Sequence, residues 1–160
     1  MNLDELANPA IKMVFIGDSG VGKTSLIYRY EKDEIVDNPT PTIGAAYLSK
    51  LYKYNDVDIE LRIWDTAGQE TYQSLAPIYF LHSMVGFVVF DISHRSSYNN
   101  VKQWIDQLRE FAGPNVVTVI VANKIDLESS RQVGKEEYEG LARDVNAICI
   151  ETSAITGVGI

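Results

Sequence analysis

Gly17-Asp18-Ser19-Gly20-Val21-Gly22-Lys23-Thr24 is a glycine, four residues, then Gly-Lys-Thr, which is the spacing of a phosphate-binding loop. It follows Ile11-Lys12-Met13-Val14-Phe15-Ile16, a run that reads as a buried strand. It leads into Thr24 to Lys32, where Leu26, Ile27 and Tyr30 recur at helical spacing. Strand, glycine loop, helix is the context the motif requires. The glycines let the chain curl so that the backbone N–H groups of Ser19, Gly20, Val21, Gly22, Lys23, Thr24 and Ser25 can gather around a phosphate at a helix N-terminus. Lys23 brings positive charge to the β- and γ-phosphates, and the Thr24 hydroxyl is a hard oxygen ligand for Mg²⁺. Alone, the loop specifies only a nucleoside triphosphate.

Outward from the loop, strands and helices alternate. Ala45–Tyr54 and Val57–Trp64 flank Asn55-Asp56, a two-residue hairpin turn. Residues 66–83 are polar and irregular, with one short helix near Ser74–Phe80. Met84–Asp91 and Val116–Ala122 are buried runs, and Ala147–Glu151 is a final strand. Ser96 to Phe111 reads as one helix with Val101, Trp104, Ile105 and Leu108 on one face, stopped by Gly113-Pro114. Lys135–Asp144 reads as an acidic amphipathic helix. The expected fold is α/β: a mostly parallel six-stranded sheet with one antiparallel edge strand and helices on both faces. Ligands of such sheets bind outside the carboxyl ends of the strands, and every motif below falls at one.

The 160 residues fit one domain spanning 1–160, with 46% apolar and 22% charged residues, an ordinary globular balance. A net charge of −8 repels phosphate backbones, so nucleic acid is not an expected partner, and any site for an anionic nucleotide must be locally positive. The single cysteine, Cys149, lies in an apolar stretch and reads as a buried core residue suited to a reducing, cytoplasmic compartment. The apolar runs are too short to span a bilayer. There is no signal-peptide pattern, and Asn2 is not the glycine that myristoylation requires. Neither His82 nor His94 has a neighbouring ligand, so both read as loop residues.

Ile63-Trp64-Asp65-Thr66-Ala67-Gly68-Gln69-Glu70 begins on a strand and leaves it at Asp65. A carboxylate at that strand end can hold magnesium through a water. The Gly68 N–H can donate to the γ-phosphate, and the Gln69 amide, both donor and acceptor, can orient an attacking water. Trp-Asp-Thr-Ala-Gly-Gln-Glu resembles the signature of the Ras-like small GTPases, whose fold is the phosphate-loop NTPase small G domain, and the tryptophan points to the Rab branch. That resemblance implies that Thr42, in Pro41-Thr42-Ile43-Gly44, is the second hydroxyl ligand for magnesium and meets the γ-phosphate through its N–H. It also implies two switch segments, 37–44 and 68–79, that order around GTP and relax without the γ-phosphate.

Asn123-Lys124-Ile125-Asp126 follows a strand. Guanine presents N1–H and a 2-amino group on one edge, and a carboxylate such as Asp126 accepts both. Adenine would leave that carboxylate desolvated and unpaired, which costs about several kcal/mol. Asn123 can bond the base and brace the phosphate loop, and the Lys124 stem can lie along the purine. Glu151-Thr152-Ser153-Ala154 resembles the family's fifth motif, in which Ser153 and Ala154 line the guanine and the Ala154 N–H meets its carbonyl.

The resemblance covers essentially the whole chain. Ile43–Leu48 and Tyr72–Tyr79 look most similar to the early-endosomal Rab subgroup, which implies vesicle trafficking and the cytosolic face of endosomal membranes. Ile43 and the aromatic triad Tyr47, Trp64 and Tyr79 fall where Rab proteins contact effectors. Exchange factors, GTPase-activating proteins that supply an arginine, and a monomeric state are expected from the family. Three departures stand out. Ile35 replaces a phenylalanine that packs against guanine. Phe80-Leu81-His82 replaces tyrosine-arginine-glycine. The chain stops at Gly157-Val158-Gly159-Ile160, where the family begins its last helix, so one sheet face is expected to lack part of its cover, and a lipidated tail is an expectation about the family only. Two functional readings stand: a switch that hydrolyses GTP, and a nucleotide-binding module without useful turnover. A phosphate-loop kinase or ATPase is a third, against which Asn123 and Asp126 argue.

Overall fold

The computed structural model describes residues 8–35, 45–66 and 76–160. Among them, six strands form one sheet in the order β2-β3-β1-β4-β5-β6. The strands are β1 (Ala10–Ile16), β2 (Ala45–Tyr54), β3 (Val57–Thr66), β4 (Val85–Asp91), β5 (Val117–Asn123) and β6 (Ile148–Thr152). Only the β2–β3 pair is antiparallel; β3, β1, β4, β5 and β6 run parallel. The helices are α1 (Lys23–Lys32), α2 (Ala76–Phe80), α3 (Arg95–Asn99), α4 (Val101–Ala112) and α5 (Lys135–Asp144), with a 3₁₀ turn at Ile125–Ser130. The expected fold class is the one observed.

Local chemistry explains the elements. Asn55 and Asp56 both take positive φ, 48° and 63°, as a type I′ hairpin requires. β4 and β5 are almost continuously apolar because both of their faces are covered. On one face Val14, Val88, Phe90 and Ile120 pack with Trp104, Ile105 and Leu108 of α4 and with Tyr138 of α5. On the other, Val89, Val119 and Val121 pack with Val21 of the glycine loop and Leu26 of α1. That second face keeps an apolar groove of about 420 Å³, lined among others by Ile11, Met13, Leu61, Phe87, Ile150 and Ile160.

Several boundaries differ from the sequence reading. The helix expected over 96–111 is two helices that meet at Asn100, whose side chain is engaged by Asp18. β3 runs on through Asp65 and Thr66, because β2 pairs with it up to Ala45↔Thr66 and the Thr66 hydroxyl donates to Phe15 O at 2.7 Å. Cys149 is half-buried rather than buried, and desolvation pushes its thiol up to about 11, which keeps it unreactive. Phe80 is fully buried. His82, where the resemblance expects glycine, sits at φ 64°, the left-handed region that glycine occupies without strain.

The N-terminus of α5 is held by charge. Glu137 accepts from Arg95 at 2.7 and 2.9 Å and from the Gly134 N–H at 2.8 Å. The Arg95 hydrogen bond first, and the Gly134 N–H second, hold its carboxyl down at about 2, from an ordinary 4.5. A depressed carboxylate stabilises the fold fully above its unfolded pKa and loses that contribution as pH falls through the folded one. The stability difference between the native chain and Glu137→Gln is therefore expected to be constant above pH ~5 and to shrink between about 4.5 and 2, read from urea midpoints at a series of pH values.

Candidate nucleotide site at the carboxyl edge of the sheet

β1, β3, β4, β5 and β6 all end on the same edge, and each delivers polar side chains there. The loop after β1 is forced to be glycine-rich by its surroundings. Gly17 has φ 143°, and a Cβ there would lie 2.2 Å from Val89 O. Gly22 has φ 99°, and its Cβ would lie 2.5 Å from Asn123 Nδ2. Any larger residue would displace either the sheet or Asn123.

Lys23, at the start of α1, is only 5% exposed. Its ammonium donates to Gly17 O and Asp18 O, each at 2.9 Å. Desolvation lowers it to about 8, against upward pulls from Asp65 and Asp18. A buried cation with no carboxylate hydrogen-bonded to it among the described residues is primed for an anionic ligand. Beside it the Thr24 hydroxyl donates to Asp65 Oδ2 at 2.5 Å, bringing two hard oxygen donors together at the mouth of the loop. This set fits Mg²⁺ bound by one or two protein groups together with substrate phosphates. No group of three or more His, Cys, Asp or Glu side chains that could cage a metal occurs among the described residues.

Asn123, 1% exposed, braces the site from β5. Its Nδ2 donates to Val21 O at 2.8 Å, and its Oδ1 accepts from the Thr152 hydroxyl at 2.9 Å. Lys124, at φ 64°, donates to Gly20 O at 2.8 Å and pairs with Asp91 at 3.1 Å. Asp126 accepts from the Ser153 hydroxyl at 2.7 Å. The sequence motifs around Lys23, Asn123 and Ser153 thus converge on one cradle, with Ala154 packed against its core neighbours. Thr42, Ile43, Gly68 and Gln69 lie outside the described residues.

Tyr47, Trp64 and Tyr79 form one continuous aromatic patch, with ring centroids 4.8 and 5.8 Å apart. Trp64 also packs on the main core, and the Lys12 ammonium lies 5.5 Å from its ring. Tyr47 is half exposed, so the patch is open to solvent on one side.

Sequence reasoning missed Asp18, Asn100 and Trp104. The Asp18 carboxylate accepts from Asn100 Nδ2 at 2.7 Å and Trp104 Nε1 at 2.9 Å, pinning the phosphate loop to α4. A carboxylate in an anion-binding loop was the available signal, since it needs donors of its own. Asp91 and Thr152 were given no role from the sequence; both sit at strand ends, where Asp91 pairs with Lys124 and the Thr152 hydroxyl donates to Asn123.

A phosphate loop, an Asn-Lys-x-Asp loop and a third base-side loop on the edge of such a sheet define a guanine-nucleotide-binding domain. Residues 12–160 match the sequence model of the Ras family. Ras-related protein RABF2a of Arabidopsis thaliana is 41% identical over 93% of this chain and 74% of its own length. Ras-related protein Rab-22A of Homo sapiens is 37% identical over 94% and 77%. Ras-related protein Rab5A of Oryza sativa subsp. japonica is 39% identical over 93% and 73%. The chain belongs to the Ras family, in its Rab branch. It is a GTP-binding switch that hydrolyses GTP and regulates vesicle trafficking, and the reading without turnover falls away. No helix among the described residues is long and apolar enough to cross a membrane.

The Asp18 clamp has a measurable weight. Asp18→Ala leaves the Trp104 N–H and the Asn100 amide without their acceptor, and it is expected to lower the unfolding free energy by roughly 1–3 kcal/mol. Urea unfolding followed by tryptophan fluorescence measures this.

Proposed function

We propose that residues 1–160 work as one G domain whose cradle reads guanine and senses the γ-phosphate. The support is the double bridge of Asn123, which ties the phosphate loop at Val21 to the base-side strand at Thr152 and sets Asp126 against Ser153. The backbone N–H groups of Ser19 to Ser25, with Lys23, bind the β- and γ-phosphates. Thr24, Thr42 and, through a water, Asp65 hold Mg²⁺, which when bound neutralises charge building up between those phosphates. Asp126 accepts from the guanine edge, Ser153 and Ala154 back the base, and Lys124 covers its face. Gln69 orients a water that attacks the γ-phosphorus; the bond to the β–γ bridging oxygen breaks, leaving GDP and phosphate. No protein nucleophile is needed, and positioning and charge stabilisation carry the step.

Loss of the γ-phosphate releases segments 37–44 and 68–79, so partners distinguish the two states. Effectors dock on Ile43 and on the patch of Tyr47, Trp64 and Tyr79. An exchange factor and an activating protein complete the cycle, the latter supplying an arginine worth about 10³–10⁵ in rate. The protein acts as a monomer in the cytoplasm, and at the cytosolic face of endosomal membranes if the natural protein carries a lipidated tail.

Two measurements test this. Asp126→Asn replaces an acceptor with a donor and is expected to move preference from GTP to XTP, whose 2-oxygen needs one. Retained preference for GTP in a competition assay with Mg²⁺ refutes the base assignment. Ile35, half exposed just beyond the C-terminal end of α1, lacks the aromatic contact with guanine that the family resemblance implies, worth about 0.5–1.5 kcal/mol. Ile35→Phe is expected to slow GDP release about 2–10-fold in a fluorescent-GDP chase.

A further inference from the structure

Asp126 and Ser153 come from two separate loops, so the base is read correctly only if those loops keep their relative position. At the front they touch through the Ser153–Asp126 hydrogen bond. A second tie lies behind them, on α5. Tyr138 is fully buried, at 0% exposure, with its ring 5.5 Å from that of Phe90 in the core. Its hydroxyl donates to Glu151 Oε1 at 2.7 Å and accepts from Arg131 Nη1 at 3.3 Å.

The two partners belong to the two loops. Arg131 closes the 3₁₀ turn that carries Asp126, where it is held by Glu128 at 2.9 Å and by Val133 O at 3.0 Å. Glu151 lies on β6, two residues before Ser153. A buried phenol with both of its capacities used by groups on different loops is a fixed spacer. Burial raises the Tyr138 hydroxyl to about 12, so it remains a donor wherever the protein is folded.

We infer that Tyr138 is a positioning residue for guanine: its hydroxyl, joined to Arg131 and Glu151, sets the spacing between the loops that carry Asp126 and Ser153. The inference rests on the base-reading role of those two residues. The contact that suffers most from a change in spacing is the one from Asp126 to the 2-amino group, because both loops flank that carboxylate.

Tyr138→Phe keeps the ring and removes the tie. The probes are GDP and inosine diphosphate, which differ only in the 2-amino group, with dissociation constants measured in Mg²⁺. The expected result is a fall of about 3–10-fold in the preference for GDP over inosine diphosphate, the scale of one net hydrogen bond. Arg131→Met, which cuts the tie from the other loop and leaves Tyr138 and Glu151 in place, is expected to shift the same ratio in the same direction. Equal weakening of both nucleotides, with or without a lowered melting temperature, means Tyr138 only fills the core and overturns the inference. A native protein with no preference for GDP over inosine diphosphate overturns instead the base assignment on which the inference stands.

Discussion

A single buried ammonium organises this molecule. Lys23 sits inside an acidic chain, nearly closed off from water, and caps the carbonyls of Gly17 and Asp18. Keeping a cation there is costly unless the surroundings supply oxygen. The loop therefore turns its carbonyls toward Lys23 and must bend through backbone conformations that only glycine adopts readily. The tight approach of Gly17 to Val89 O then fixes how β1 lies beside β4. The local geometry of the loop and the central spacing of the sheet are consequences of the same charge.

The parallel sheet turns that local feature into a site. β1 pairs with β3 on one side and β4 on the other, so the chain reverses its direction of travel across the sheet at β1, where such folds open a crevice. Register does the rest. Phe15 opposite Asp65 brings the Asp65 carboxylate beside the loop, and Asn123 opposite Thr152 brings the base-side motifs level with each other. Residues scattered across more than a hundred positions of sequence need no long side chains to meet.

Much of this was legible in the chain. The hairpin turn at Asn55-Asp56 and the bounds of α5 follow from local periodicity and turn chemistry, and the structure keeps them, whereas the motif-bearing ends of β3, β5 and β6 run on past the expected residues. The break between α3 and α4 was not legible, because Asn100 answers to Asp18, 82 residues away. Periodicity across 96–111 is continuous and gives no hint of it. Thr66 looked like loop because it is polar, yet its hydroxyl is satisfied by Phe15 O and the strand continues through it. Trp64, expected in the effector-facing triad, serves core and surface alike: it packs against the main core while its ring joins the patch with Tyr47 and Tyr79. Nothing in the amphipathic pattern of Lys135–Asp144 singles out Tyr138; that its hydroxyl finds two partners from different loops is a purely tertiary fact.

The double bridge of Asn123 has a further consequence for how the ligand leaves. One amide is shared between the wall that holds the phosphate tail and the wall that holds the ring. Moving either wall alone breaks one of the two hydrogen bonds of that amide. On the proposed assignment of those walls, opening one strains the bridge to the other, so release of the ligand couples its two ends rather than peeling from one.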